Sequence, residues 1–159
     1  MTAKAAILAL GMLLSASLCK AQDVCTWVTT ATVIDAPDPA VSDVQTVVTN
    51  AGNICTFHYR KADSLYNVQI TIHTASGNSG DMAASEKQCG SDKTALTGIG
   101  NEAVLCGTGA RGERVVGRVR DQVFVVNVSV KAAGDPTETA KSLGDKATLL
   151  AEQVAGNLF

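Results

Sequence analysis

The chain carries 159 residues with 13 basic against 15 acidic side chains, a net charge of −2. That balance lacks the basic footprint that nucleic acid or an anionic membrane selects. The length holds one domain able to bury about two thirds of its unfolded surface.

Residues 1–21 read as a bacterial-type secretory signal rather than as part of the fold. Lys4 gives a short positive region and Ala5 to Leu18 is apolar, but a membrane span needs about 20 such residues. Small residues at Cys19 and Ala21 place cleavage after Ala21, so residues 22–159 form a single exported domain. A competing reading makes Cys19 a lipidated first residue and anchors the chain to a membrane. Leu18 speaks against it, because a lipoprotein signal carries Gly, Ala or Ser there. Losing Lys4 and Lys20 leaves 11 basic against 15 acidic residues over 138 positions, a net of −4.

Cleavage or lipidation leaves four cysteines to pair: Cys25, Cys55, Cys89 and Cys106. In an oxidising compartment an even set implies disulfides, and four cysteines allow three pairings. Chain order favours Cys25–Cys55 and Cys89–Cys106, two non-overlapping loops of 30 and 17 residues. Each would contribute about 3 to 4 kcal/mol by chain entropy. No Cys-x-x-Cys pair exists and neither histidine stands at a zinc-site spacing from a cysteine, so the sequence calls for no metal.

In chain order, Asp23 to Ile34 has helical spacing at Val24, Trp27, Val28, Ala31 and Ile34, with Asp23 able to cap and Pro37 and Pro39 ending it. Trp27 reads as a core anchor beside Cys25. Val41 to Thr49 is weakly β. Ile54 to Arg60 alternates Cys55, Phe57 and Tyr59 against Thr56, His58 and Arg60. After the turn at Lys61 to Ser64, Val68, Ile70 and Ile72 alternate with Gln69, Thr71 and His73. Ala75 to Gly80 is a polar loop, and Met82 to Gln88 a short helix with Asp81 as its cap and Gly90 beyond its end. Leu96 to Ala103 contains Gly98 and Gly100, whose spacing fits neither a P-loop nor a dinucleotide fingerprint; it reads as a tight turn before the strand Ala103 to Cys106.

Gly112 to Val130 is the strongest β signal, two strands joined at Arg120-Asp121-Gln122. Phe124, Val126, Val128 and Val130 share one face, while Arg114 and Arg118 alternate with Val115 and Val119. This hairpin is expected in the middle of an antiparallel sheet covered on one side. Asp135-Pro136-Thr137-Glu138 starts a long helix as a capping box. Leu143, Ala147, Leu150, Val154 and Leu158 then form one apolar stripe, with Gly144 inside it at a cost of about 1 kcal/mol relative to Ala.

Cys25 opening a helix, Cys55-Thr56-Phe57 opening a strand, Gly98-Ile99-Gly100-Asn101-Glu102-Ala103 before a strand, the final hairpin and the closing helix resemble a group of small exported bacterial domains, many of them lipoproteins. That group is similar to PsbP-like α+β sandwiches and to extracellular sensor domains of mycobacterial receptor kinases. The resemblance implies an envelope domain that binds a ligand or partner, not an enzyme.

The residues themselves support no reaction. Ser64, Ser76 and Ser79 lie in turns or loops without a Gly-x-Ser-x-Gly elbow, and Gly77-Asn78-Ser79-Gly80 is one residue short of one. No rigidly placed acid pair suits glycoside chemistry. Asn127-Val128-Ser129 matches a glycosylation acceptor but lies mid-strand in a bacterial-type chain. What remains is a polar face on which His58, Arg60, His73, Arg114 and Arg118 could gather as an anion-binding surface. A two-histidine metal site would want a carboxylate on those strands, and none is there.

The expected fold is α+β: an antiparallel sheet of about five strands, with a long C-terminal and a short N-terminal helix packed on one face and two disulfides. The expected function is a non-enzymatic, exported envelope binding domain without cofactor. Its partner is an envelope protein or small ligand, not nucleic acid, and a membrane only if Cys19 is lipidated. The rival is a structural envelope protein without a small-molecule site, with a hydrolase behind it.

Overall fold

The computed structural model describes residues 25–34, 47–50, 53–61, 63–75, 80–109, 111–132 and 140–159. The signal segment, the Asp23 cap, the Pro37–Pro39 stop and the Asp135–Glu138 capping box lie outside the described residues.

The long β signal becomes the spine of the molecule. β7 (Gln122–Ala132) pairs on one side with β6 (Gly112–Val119) and on the other with β3 (Ser64–Thr74). β3 in turn pairs with β2 (Ile54–Lys61), and β2 with β1 (Val47–Asn50). On the far side β6 pairs with β5 (Glu102–Gly107) and β5 with β4 (Lys93–Leu96). Every pairing is antiparallel, and the order is β1-β2-β3-β7-β6-β5-β4. The sheet therefore has seven strands rather than about five. The strand that escapes the sequence is β4: Lys93, Thr94 and Ala95 are exposed, so no apolar alternation marks it, and its backbone pairing with β5 defines it.

One face carries the main core. Phe57, Val68, Ile70, Phe124, Val126 and Val128 are fully buried there, under Leu143, Ala147, Leu150 and Val154 of α3 (Ala140–Leu158). Each fully buried Leu, Val or Phe stabilises by about 1.5 to 3 kcal/mol. A Cβ on Gly144 would stand 3.4 Å from Leu105, an ordinary contact, so packing does not demand glycine there. In the sheet Gly117 does have a packing reason. It pairs with Phe124, and a Cβ on it would run into that ring.

The N-terminal helix is far shorter than expected. Only α1 (Thr30–Val33) is helical, and its N-cap is Thr29, whose hydroxyl accepts from the Thr32 N–H at 3.2 Å. The β-branched run Val28, Thr29, Thr30, Thr32, Val33 disfavours a longer helix. Val28 and Val33 nonetheless reach the main core, and half-buried Trp27 packs at its edge. The Asn157 amide donates to the Trp27 carbonyl at 2.7 Å, tying the segment to the end of α3.

The second face is not bare, contrary to the one-sided expectation. α2 (Gly80–Glu86), two residues earlier than the spacing suggests, buries Met82 against Val116, Val123 and Val125. The physical reason is visible in Val115-Val116 and Val123–Val126: consecutive apolar residues mark a strand buried on both faces.

The segment before β5 is a tight turn, as expected. Gly98 and Gly100 have φ of 83° and 61°, and a Cβ on Gly100 would run into the Arg118 carbonyl. Asn101 then clamps the β6–β7 turn. Its N–H donates to the Arg118 carbonyl at 2.8 Å, and its Oδ1 accepts from the Arg120 N–H at 2.6 Å. That clamp holds Arg120 in the left-handed region, with φ of 55°.

Candidate functional site

The cysteines pair as Cys25–Cys55 and Cys89–Cys106, with Cα separations of 5.9 and 5.5 Å. The first joins the N-terminal segment to β2 inside the main core. The second joins the chain just past α2 to β5.

All five polar-face candidates project from the second face, because they occupy alternate positions to the buried set. They do not form one cluster. His58 stands opposite Asn67, and His73 is six residues further along β3, opposite Val123. At about 3.3 Å per residue that separates the two histidines by roughly 20 Å. Arg60 is exposed opposite Leu65, close to the β2–β3 turn. Arg118 is half-exposed and its Nε donates to Glu102 Oε1 at 2.7 Å across the β5–β6 pair. Period-two alternation fixes the face but not the position along the strand, and that is why the expected gathering fails.

Two of the five do line a common hollow. Between α2 and the strands β3, β7 and β6 lies an open cavity of about 260 Å³. Gln69, Thr71 and His73 of β3 form one side, and Val125, Asn127 and Arg114 continue the floor. Ser85 of α2 and Gln88 in the turn just past it supply the opposite wall. Arg114, Asn127 and Gln69 share one cross-strand row, so Arg114 and His73 stand towards opposite ends of the hollow.

Arg114 is the most constrained charge in this region. Its Nε donates to Asn127 Oδ1 at 2.5 Å, and Nη1 reaches the Ser85 carbonyl at 3.5 Å. The guanidinium is half-buried, and burial pushes its pKa down from its ordinary value; an arginine stays charged all the same. Lys93–Glu86 and Arg118–Glu102 form ion pairs, neither of which involves Arg114. Among the described residues that line the hollow there is no carboxylate. Such a floor can accept an anion through the undonated Nη2 group, and it offers no counter-charge to a cation. Asn127, the potential glycosylation position, is half-buried and engaged with Arg114.

Ser85, Gln88, Val125 and Asn127 line the hollow and were not among the sequence candidates. Helical spacing from Met82 puts Ser85 on the sheet-facing side once Met82 is known to be buried, but nothing local says that it is.

A second hollow of about 330 Å³ lies on the main-core face, between the β2–β3 hairpin and the first turns of α3. Tyr59 and Tyr66 stack there with centroids 4.9 Å apart, and Lys146 Nζ lies 5.2 Å from the Tyr59 ring centre. Among the described residues no group of three His, Cys, Asp or Glu side chains could hold a metal, and no helix is long and apolar enough to cross a membrane. No family model, curated protein or solved structure matches the chain, so none links it to the PsbP-like or sensor-domain groups.

Proposed function

We propose that this chain is an exported, non-enzymatic binding domain of the cell envelope, and that the hollow beside α2 is its site for a small anionic ligand. The observation that carries the reading is Arg114: half-buried, fixed by Asn127 and the Ser85 carbonyl, with no carboxylate among the described residues that line the hollow. Holding a guanidinium in a partly desolvated place is costly unless something anionic meets it there. The two disulfides fit an oxidising, exported location. The signal-like residues 1–21 support the same compartment.

The site is tested by thermal unfolding of the mature chain with a panel of small anions and matched neutral solutes. Anions should raise the midpoint of the wild type and leave Arg114→Gln unmoved. An equal response of the variant, or no response across the panel, would leave the structural envelope protein as the better reading. Intact mass of the native protein tests the compartment. A mass for residues 22–159 less four hydrogens supports soluble export, whereas a lipid-sized increment on a chain beginning at Cys19 places it at a membrane.

A further inference from the structure

Every polar side chain around Arg114 apart from His73 is a carboxamide or a hydroxyl: Gln69, Gln88 and Asn127 on one count, Thr71 and Ser85 on the other. Among the described lining residues there is no Phe, Tyr or Trp, and Val125 is the one apolar residue of the floor. Carboxamides both donate and accept, which suits groups that do the same; hydroxyls of a polyol are the simplest such groups. The Asn127 amide is oriented as well, because its Oδ1 is occupied by Arg114 and its NH₂ is left to donate. About 260 Å³ corresponds to roughly nine waters at about 30 Å³ each, which is room for a monosaccharide-sized body.

We infer that the hollow takes a polyhydroxylated carboxylic acid of monosaccharide size, its carboxylate on Arg114 and its hydroxyls along the amide-lined floor towards Thr71. This deepens the binding-domain reading and rests on it. With Nε and Nη1 engaged, the Nη2 group is left to meet a carboxylate oxygen, and one arginine balances the single charge of a carboxylate better than the double charge of a phosphate dianion. Neutral sugars would satisfy the amides and leave the guanidinium unmet. Acetate would do the reverse.

The test is ¹H–¹⁵N spectroscopy of the mature, oxidised chain titrated separately with glucuronate, glucose, acetate and inorganic phosphate. Glucuronate should shift the side-chain amides of Gln69, Gln88 and Asn127 and the Arg114 Nε–H saturably. Its affinity should exceed that of glucose and of acetate by about tenfold each, since each lacks one class of charge-assisted or neutral hydrogen bond. Arg114→Gln should lose the preference for glucuronate over glucose, and Gln69→Ala, on the rim, should weaken glucuronate while leaving acetate unchanged. Equal binding of glucose and glucuronate, or of acetate and glucuronate, overturns the ligand class while the hollow survives as a site. Phosphate binding more tightly than glucuronate overturns it too. Shifts confined to another surface overturn the hollow but not the binding domain, and silence with all four probes overturns the inference outright.

Discussion

The two faces of the sheet are built from the same strands yet solve different problems. On the α3 face, a 19-residue helix lays a full apolar stripe over four strands' worth of Val, Ile and Phe, and the Cys25–Cys55 bridge sits inside that core. On the α2 face, a seven-residue helix packs its Met82 on three buried sheet side chains, Val116, Val123 and Val125. The polar hollow begins where that small cluster ends. The Cys89–Cys106 bridge pins the chain just beyond this short helix, which has little burial to hold it. One face is spent on stability and the other is left partly polar; the second is where the proposed site lies.

The widest test of that contrast is a pair of core truncations. Leu150→Ala on the α3 face should lower unfolding free energy by about 3 to 5 kcal/mol, whereas Met82→Ala should fall near the low end for buried residues, about 2 kcal/mol, because the thin cluster can relax. Urea unfolding of both variants measures it; equal losses would erase the distinction between the faces. The bridges come next. Replacing both cysteines of either pair by Ala should cost about 3 to 4 kcal/mol. Access separates them: Cys25 and Cys55 are 6% and 0% exposed, while Cys89 is partly exposed. Mild reductant followed by alkylation and mass measurement should therefore label Cys89 and Cys106 first, with amide exchange rising in α2 before α3.

A smaller effect comes from Glu113, opposite Val128 on the main-core face, whose carboxyl burial raises above its ordinary value near 4.5. A raised folded value means the folded state holds the proton more tightly. Its contribution to stability is complete below about pH 4.5 and is lost as pH rises through the folded value. Glu113→Gln should accordingly raise the denaturation midpoint at pH 7, with the gain vanishing at pH 4; solvent screening keeps it small. Least of all should come from Arg118→Ala. Its pair with Glu102 is about 40% and 46% exposed, so the loss should stay within about 0.5 kcal/mol. A larger loss would mean that the polar face carries stability after all.

Much of this architecture was legible in the residues. Phe124 to Val130 and Cys55 to Tyr59 state their buried faces by alternation, and Leu143 to Val154 state theirs by helical spacing. The disulfide pairing followed chain order. What stayed hidden was of two kinds. β4 has nothing apolar to announce it, and α1 was overestimated because helical spacing was read through a β-branched run. The candidate site was half legible: Arg114 and His73 were on the right face, but His58, Arg60 and Arg118 shared only that face and not the place.

Alternation and spacing are local, so the sequence by itself determined which residues face inward, which cysteines are available to pair, and that a central hairpin and a closing helix make an α+β fold. Register, strand order and the seat of α2 arise from contacts between residues far apart in the chain. Only the tertiary structure could therefore put Ser85 over Arg114, part His58 from His73, and leave one polar hollow on the less covered face.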